Sequence, residues 1–207
     1  MIKYALFDFD GTLFDSNGIY EGLGKQYIQH LGLVPNDDID EDLKTLSLYE
    51  GAKYLKEHYL LHQSIDIIQE EIQVLIGDKY KKEIQPKKRT RDFLDWLKKK
   101  HVKMAIVSAS HKEGIQAALK RCQLDSYFEE IVTCEMVGEG KNSPAIYDEA
   151  LKRLHGKKEE TYVFEDALHA IQTCIKAGYV VVGVYDRFEK NQEEVKKIVS
   201  SYIRLDD

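Results

Sequence analysis

The sequence predicts an α/β fold in which a doubly wound parallel sheet carries a helical insertion. Several short apolar runs contain few polar residues, as do strands that are covered on both faces. Amphipathic stretches of helical period alternate with these runs in the C-terminal part of the chain, as in a parallel sheet with crossover helices. A long stretch after the first run carries helical patterns alone and breaks the alternation.

Four apolar runs give the predicted strands: Tyr4 to Phe9, Met104 to Val107, Tyr162 to Phe164 and Val180 to Val184. The stretches between and after them give four predicted helices: Arg91 to Lys100, Lys112 to Arg121, Ala145 to Arg153 and Ala167 to Ala177. Strand and helix therefore follow one another in the order that a doubly wound sheet requires.

The helical stretch suggests how the chain is divided. A length of 207 residues fits either one large domain or a core domain with a smaller insertion. Four successive helices are predicted after the first strand: Gly18 to His30, Glu41 to Leu46, Glu50 to His58 and Ile65 to Lys82. We therefore expect a core domain made of residues 1–15 and 86–207, and an all-helical domain made of residues 16–85.

Composition limits the classes of partner. The formal net charge of −6 and the pI of about 5.7 give no electrostatic reason to expect nucleic-acid binding. Basic residues cluster around Pro86 and at Lys98 to Lys100, and we interpret both clusters as solvated helix ends. No apolar run approaches the roughly 20 residues that span a bilayer. We expect a soluble cytoplasmic protein, monomeric or weakly dimeric, with no nucleic-acid or membrane partner.

The first predicted strand ends in acidic residues, in the run Asp8-Phe9-Asp10-Gly11-Thr12. Strand alternation places Asp8 and Asp10 on the same side, and the Gly-Thr turn follows immediately. Ligands of open α/β sheets bind at the carboxyl ends of the strands, so the position suits catalysis. The alternative is an ordinary Asp-Gly turn with Asp8 as a cap, although a turn has no need for two repelling carboxylates.

Hydroxyl and ammonium groups follow at later positions. Ser108 ends a predicted strand, and Ser108-Ala109-Ser110 leads into a helix whose N-terminus could bind phosphate, although a Ser-x-Ser segment often only caps a helix. Lys141 precedes the helix that begins near Ala145, where an ammonium could offset carboxylate and phosphoryl charge. A lone lysine is otherwise an ordinary surface residue.

A second acidic pair, Glu165-Asp166, closes the predicted strand Thr161 to Phe164. Carboxylates at this place can cap the following helix or bind a hard cation. Each of the four signals is weak alone, but all of them fall at predicted strand ends or in the loops that follow. Together they predict one site.

The order and form of these motifs resemble the haloacid dehalogenase superfamily. Its phosphatases carry Asp-x-Asp-Gly-Thr, then a Ser or Thr, then a Lys, then an acidic pair, and the resemblance covers essentially the whole chain. Phe164-Glu165-Asp166 with Ala177-Gly178 downstream adds support. The resemblance is to the phosphoglycolate phosphatase and β-phosphoglucomutase-like subfamily, and it implies a Rossmann-like core with a helical cap inserted after the first motif.

The resemblance also implies a mechanism. Asp8 would attack phosphorus to form an aspartyl-phosphate, and Asp10 would serve as general acid and then as general base. Mg²⁺ would be bound by Asp8, the backbone carbonyl of Asp10 and Asp166, with Glu165 as a direct or water-mediated ligand. The residues implied in binding the phosphorylated metabolite are Phe9, Ser108, Ala109 and Lys141.

Three alternatives remain open. A sugar phosphomutase shares this constellation, and the segment from Leu43 to Leu48 resembles its Leu-Lys-Gly-Val-Ser-Arg segment, but Leu48 replaces the arginine that holds the distal phosphate. A haloacid dehalogenase would lack Asp10. A non-catalytic module that binds a phosphorylated metabolite would have no use for Asp10 beside Asp8. The sequence does not identify the physiological substrate. The candidate substrate contacts are Lys44, Asn17, Tyr20 and Tyr49.

Overall fold

The chain forms two compact units in the computed structural model, which describes residues 2–43, 46 and 48–207. The core unit comprises Met1–Asn17 and Ile84–Asp207, and the inserted unit comprises Gly18–Glu83. The chain thus leaves the core unit soon after the first acidic motif and returns to it before the second predicted strand.

Six strands are found in the described residues, all in the core unit: β1 (Tyr4–Phe7), β2 (Lys103–Ser108), β3 (Glu130–Thr133), β4 (Thr161–Glu165), β5 (Val180–Val184) and β6 (Ser201–Ile203). The described part of the chain also contains ten α-helices: α1 (Leu23–His30), α2 (Ile39–Leu43), α3 (Leu48–His58), α4 (Ile65–Lys82), α5 (Thr90–Lys99), α6 (Lys112–Arg121), α7 (Cys134–Val137), α8 (Ala145–Arg153), α9 (Leu168–Lys176) and α10 (Gln192–Ile198).

The strands form one parallel sheet in the order β3-β2-β1-β4-β5-β6. This is the strand order of a Rossmann fold, so the predicted fold class is confirmed. In β1, Phe7 pairs with Ile106 of β2 and with Phe164 of β4. The carboxyl ends of the three central strands therefore lie side by side, and the strand order reverses between β1 and β4.

Apolar side chains cover the sheet on both faces. Successive residues of a strand point to opposite faces, so Leu6 and Phe7 belong to different layers. Leu6 packs in a buried cluster with Val163 of β4, Ile146 of α8 and Ile171 of α9. On the other face the ring of Phe7 stacks on Phe164 with 4.5 Å between centroids and meets the edge of Phe93 from α5. Aromatic and aliphatic packing on both faces fixes the strand ends that carry the site.

The inserted unit has a hydrophobic core of its own. Tyr27 and Ile28 of α1 are buried with Leu55 of α3 and Ile68 of α4. The Tyr27 hydroxyl donates to Glu71 over 2.6 Å, which satisfies the polar end of a ring that is otherwise fully buried. Across the described residues, no helix combines the length and the apolar character needed to cross a bilayer.

Most predicted helices are confirmed, several of them to the residue, but the first helix of the insertion is wrong. The stretch Gly18 to His30 divides into a 3-10 turn at Asn17–Tyr20 and the helix α1. Gly22 separates the two with a φ of 70°, a left-handed conformation that glycine adopts without strain and that a continuous helix excludes. In the predicted helix Glu41 to Leu46, Lys44 and Thr45 lie outside the described residues, and Leu46 is not helical.

The elements that the sequence did not reveal are short. β3 and β6 contain four and three residues, and among the described strands β6 pairs with β5 only.

The structure also corrects the interpretation of one basic cluster. Lys98 to Lys100 are exposed as predicted, whereas Lys87 beside Pro86 is buried and is no solvated helix end.

Candidate active site

Two acidic segments meet at the point where the strand order reverses. Asp8 directly follows β1, and its backbone N–H donates to the carbonyl of Phe164 over 2.9 Å. On the adjacent strand, Glu165 is the last residue of β4 and Asp166 follows it. Parallel open sheets bind ligands in the crevice at such a reversal. The register of β1 and β4 thus brings Asp8, Glu165 and Asp166 together from positions more than 150 residues apart.

Lys141 joins two of these carboxylates. Its side chain reaches in from the loop before α8, where it is buried, and its Nζ donates to Asp8 Oδ1 in a short contact. The same ammonium donates to Glu165 Oε2 over 2.8 Å. Charge-assisted hydrogen bonds of this kind are stronger than neutral ones, so Lys141 fixes the orientation of both acids. The predicted approach of this lysine to the strand ends is observed.

The acids leave oxygen atoms available for a cation. Asp8, Glu165 and Asp166 each offer one carboxylate oxygen, and these atoms lie within 4.8 Å of one another. Asp8 Oδ2 is buried and has no hydrogen-bond partner among the residues that the structure describes. A buried carboxylate oxygen without a donor is costly, and a hard cation such as Mg²⁺ favours oxygen ligands of this type. The residues present therefore fit a divalent metal ion.

Burial and charge shift the pKa values of the acids. Burial raises the pKa of Asp8 well above its ordinary value; the nearby Glu165 raises it further and Lys141 opposes both. Burial, followed by the charge of Glu165, raises the pKa of Asp166 to about 7. Burial alone would lower the pKa of Lys141, but Asp8 and Glu165 outweigh it and raise that pKa. If all three carboxylates were ionised, they would leave two negative charges beyond that of the one ammonium, and a divalent cation would neutralise these.

Hydroxyl groups surround the carboxylate of Asp10. Ser16 Oγ donates to Asp10 Oδ1 over 2.6 Å, and Ser110 Oγ donates to Asp10 Oδ2 over 2.6 Å. Ser108 Oγ lies 3.4 Å from the same Oδ2 and accepts a hydrogen bond from the backbone N–H of Ser110. Ser108 thus lies at the site as predicted, and in this structure its hydroxyl contacts Asp10. Ligation of a metal by the Asp10 carbonyl stays a prediction.

Gly11 allows the two acidic segments to approach each other. Its φ of 79° lies in the left-handed region, and a β-carbon at this position would lie 2.5 Å from Asp166 Oδ2. Thr12 next to it donates from Oγ1 to Asp166 Oδ1 over 2.9 Å. Glycine at this position therefore leaves space for the Asp166 carboxylate, which accepts the hydrogen bond from Thr12.

The structure gives less information on the other residues that the sequence predicts to contact the substrate. The side chain of Phe9 is fully buried and stacks on Phe14, so a contact between Phe9 and phosphate is restricted to its backbone. Ala109 is exposed beside Ser108. Tyr20 and Tyr49 are exposed residues of the inserted unit. Lys44 lies outside the described residues, as do Thr45 and Ser47 of the segment that resembles the mutase.

Sequence reasoning missed several residues that contact the acids. Tyr147 of α8 donates to Glu165 Oε2 over 3.2 Å. Asn17, a candidate substrate contact from the sequence, donates to Asp166 Oδ2 over 3.4 Å. Asp186, a buried acid two residues beyond β5, accepts from Asn17 over 3.2 Å. The rule that selected Asp8 and Asp166, an acid just after a strand, would also have selected Asp186.

Comparison with known proteins identifies the family of the chain. A family profile described as haloacid dehalogenase-like hydrolase matches residues 5–184. A Thermotoga maritima protein named phosphorylated carbohydrates phosphatase is 24% identical over 177 residues, which cover 86% of this chain and 82% of the relative. The pyrophosphatase PpaX of Bacillus mycoides is 27% identical over 197 residues, which cover 83% of that relative.

Solved structures share the fold. A Thermotoga maritima protein described as a candidate β-phosphoglucomutase superposes with a TM-score of 0.86 and 21% identity, covering 99% of this chain and 95% of its own. CbbY from Rhodobacter sphaeroides, solved in complex with phosphate, gives a TM-score of 0.74 with 22% identity and covers 98% and 94% of the two chains. These structures confirm the expected fold, and the family profile over residues 5–184 confirms the family expected from the motifs.

The pKa of Asp166 predicts how stability depends on pH when no cation is bound. An aspartate has a pKa of about 4 in an unfolded chain, whereas the folded value is about 7. Between these values the folded state holds a proton that the unfolded state has lost, so this group destabilises the fold as pH rises toward 7. In EDTA, the melting temperature of the wild-type protein should fall between pH 5 and pH 8 more than that of Asp166→Asn.

Magnesium added at pH 8 should raise the melting temperature of the wild type and leave that of Asp166→Asn nearly unchanged. Subtracting the two pH profiles removes the contribution of titrating groups that do not interact with Asp166. Parallel profiles for wild type and variant in EDTA would show that Asp166 carries no raised pKa.

Proposed function

The chain belongs to the haloacid dehalogenase-like hydrolase family, and from that premise we propose that it is a magnesium-dependent phosphatase that hydrolyses a small phosphorylated metabolite through an aspartyl-phosphate on Asp8. The observation that carries the proposal is the state of Asp8. Lys141 holds one of its oxygens, and the other has no hydrogen-bond partner within the described part of the chain. Asp8 lies in a buried cluster with two further acids, Glu165 and Asp166.

The first chemical step uses Asp8 as a nucleophile. Its carboxylate oxygen attacks phosphorus in line, a P–O bond to Asp8 forms, and the P–O bond to the leaving group breaks. Asp10 gives its proton to the departing oxygen. Lys141 holds the attacking carboxylate in one orientation, and its charge offsets that of the phosphoryl group.

The second step reverses the role of Asp10. Asp10, now ionised, takes a proton from water as the water oxygen attacks phosphorus, and the P–O bond to Asp8 breaks to release inorganic phosphate. General acid and general base catalysis each contribute roughly 10²- to 10⁴-fold. Ser16 and Ser110 hold the Asp10 carboxylate on both of its oxygens and so limit its freedom before substrate arrives.

The metal ion is assigned to the acids that leave oxygens available. Asp8, Asp166 and the Asp10 carbonyl would hold Mg²⁺, with Glu165 as a direct or water-mediated ligand. When bound, it would supply positive charge that offsets the phosphoryl oxygens and lowers repulsion between them and the carboxylates. Glu165 also accepts hydrogen bonds from Lys141 and Tyr147, which keeps its carboxylate directed toward the cluster.

The names of the relatives support the class of substrate. One relative is named for phosphorylated carbohydrates and another for pyrophosphate, and both match more than four fifths of the chain. Both names describe compact phosphate compounds, which is the basis for proposing a small phosphorylated metabolite here. We assign substrate selection to a cap domain of residues 16–85, which the inserted unit of residues 18–83 would supply.

A sugar phosphomutase is the alternative that shares this chemistry. Leu48 stands at the position where the mutase segment has its arginine, and it begins the helix α3. An aliphatic side chain cannot make the bidentate contact that holds a distal phosphate. Release of phosphate is therefore favoured over its return to the sugar.

Activity should depend on a hard divalent cation. Removing the ion leaves the buried acids without compensation, so EDTA should abolish release of phosphate from para-nitrophenyl phosphate, and an excess of Mg²⁺ should restore it. The measurement is phosphate release before and after chelation. Turnover that persists in protein shown by elemental analysis to be free of metal would refute the metal assignment.

Replacing each of the two aspartates of the first motif should block a different step of the reaction. Asp10→Asn keeps the nucleophile, and an aryl phosphate needs little protonation of its leaving group, so the phosphoenzyme should form and accumulate because no base activates water. Intact mass spectrometry after mixing with para-nitrophenyl phosphate and Mg²⁺ should show one added phosphoryl group.

Asp8→Asn is the matched control, because it changes one carboxyl oxygen to an amide at the neighbouring acid. It should show no added mass and no turnover. A phosphoryl adduct on Asp8→Asn, or full steady-state activity in either variant, would overturn the assigned roles.

A substrate panel should separate the phosphatase from its alternatives. Sugar phosphates, nucleotides, phosphoglycolate and pyrophosphate are incubated with enzyme and Mg²⁺, and both inorganic phosphate and isomerised sugar phosphate are measured. We expect phosphate release from at least one compound and no isomerisation. Isomerisation without release would identify a mutase, and binding without either product would identify a non-catalytic module.

A further inference from the structure

A buried ion pair lies beside the site and takes no part in the proposed chemistry. Lys87 Nζ and Asp186 Oδ2 are 3.2 Å apart, and the two side chains are only 3% and 1% exposed. Lys87 also donates to the backbone carbonyl of Tyr185 in a short contact. Both residues come from loops of the core unit: Lys87 precedes α5, and Asp186 follows β5.

Stability alone does not explain this pair. Desolvating two opposite charges costs about as much as their attraction returns, and apolar replacements of similar volume are often as stable. A buried ion pair that adds little to stability can still determine where a particular group points. The contacts of Asp186 show which group that is.

Asn17 links the ion pair to the acidic cluster. Its Nδ2 donates to Asp186 Oδ1 over 3.2 Å and to Asp166 Oδ2 over 3.4 Å. An amide group has two N–H donors, one for each carboxylate. Asp186 is in turn held by Lys87 and by the backbone N–H of Phe188, at 3.0 Å from Oδ1. The amide of Asn17 is therefore oriented by a carboxylate that is itself fixed on both oxygens.

The oriented amide of Asn17 in turn fixes the carboxylate of Asp166. Its Oδ1 accepts from Thr12 and its Oδ2 accepts from Asn17, so each oxygen has a fixed donor. Lys87 also neutralises the charge of Asp186, so that a further buried negative charge does not stand uncompensated near Asp166. Partners of a metal ligand that fix its orientation raise the affinity of the site for the ion.

We propose that Lys87, Asp186 and Asn17 form a positioning network that orients Asp166 for cation binding. Asn17 connects the buried ion pair to Asp166, because it donates to Asp186 and to Asp166. The inference rests on the metal site of the proposed function. None of the three residues touches the reacting atoms in this account, and their effect is exerted through Asp166.

Direct cation binding tests the network. The probe is Mn²⁺, which prefers the same oxygen ligands, and the unbound ion is measured by electron paramagnetic resonance with the full-length protein. Wild type should bind one ion. Asn17→Ala should raise the dissociation constant on the order of 10- to 100-fold, as expected when a metal ligand loses its partner. Its melting temperature in EDTA should stay close to that of wild type, because Asn17 is only half-buried.

A second variant tests whether the ion pair acts through Asn17. Asp186→Asn alone would leave Lys87 buried without a counter-charge, so Lys87→Met and Asp186→Asn are combined to remove both charges at similar volume. This double variant should also weaken Mn²⁺ binding, by less than Asn17→Ala. Adding Asn17→Ala to it should cause no loss beyond that of Asn17→Ala, because coupled residues are not additive.

Thr161→Val is the control for a loss that is merely structural. Thr161 is buried at the start of β4, the opposite end from the acids, and its hydroxyl donates to the Lys157 carbonyl over 2.7 Å. It should lower the melting temperature without changing Mn²⁺ affinity. Affinity within twofold of wild type for Asn17→Ala, or losses that add in the combined variant, would overturn the network. Absence of saturable Mn²⁺ binding by wild type would overturn the metal site and the network together.

Discussion

The excess of buried negative charge around Lys141 is the constraint on which the rest of the site depends. Asp8 and Glu165 both contact this one ammonium, and Asp166 adds a third carboxylate within the same few ångströms. Burial raises the pKa values of Asp8 and Asp166, so the cluster resists full ionisation until more positive charge arrives. In the proposed function, a divalent cation would supply that charge, and a phosphoryl group could then approach carboxylates that would otherwise repel it.

The fold makes this concentration of charge possible. The acids lie outside the ends of β1 and β4, while the strands themselves are held by apolar packing on both faces, including the stacked rings of Phe7 and Phe164. The close approach of the two acidic loops needs Gly11, where a β-carbon would collide with Asp166. The apolar packing of the core therefore offsets the repulsion between the like charges. Such repulsion is usual at sites that bind ligands.

The fold class and the main acids could be predicted because their signals are local. Asp8, Glu165 and Asp166 each follow an apolar run, and the parallel register then brings them together. Other features depend on tertiary context. Nothing near Lys87 in the sequence distinguishes it from its solvated basic neighbours, because its buried partner Asp186 lies 99 positions further along the chain. The contacts of Ser16 and Ser110 with Asp10 depend likewise on loop conformations that residue type does not specify. Strand β6 is too short for a periodic signal.

The proposed function makes Asp8, next to a bound cation, the nucleophile that attacks phosphorus. The most direct measurement is a crystal structure of the protein grown with Mg²⁺ and beryllofluoride, a mimic of a phosphoryl group on a carboxylate. We expect BeF₃ attached to a carboxylate oxygen of Asp8, contacts from Lys141 and Ser108 to its fluorines, and one Mg²⁺ bound to Asp8 and Asp166. Beryllofluoride attached to Asp10 or to another acid, or bound at Asp8 without any metal ion, would contradict it.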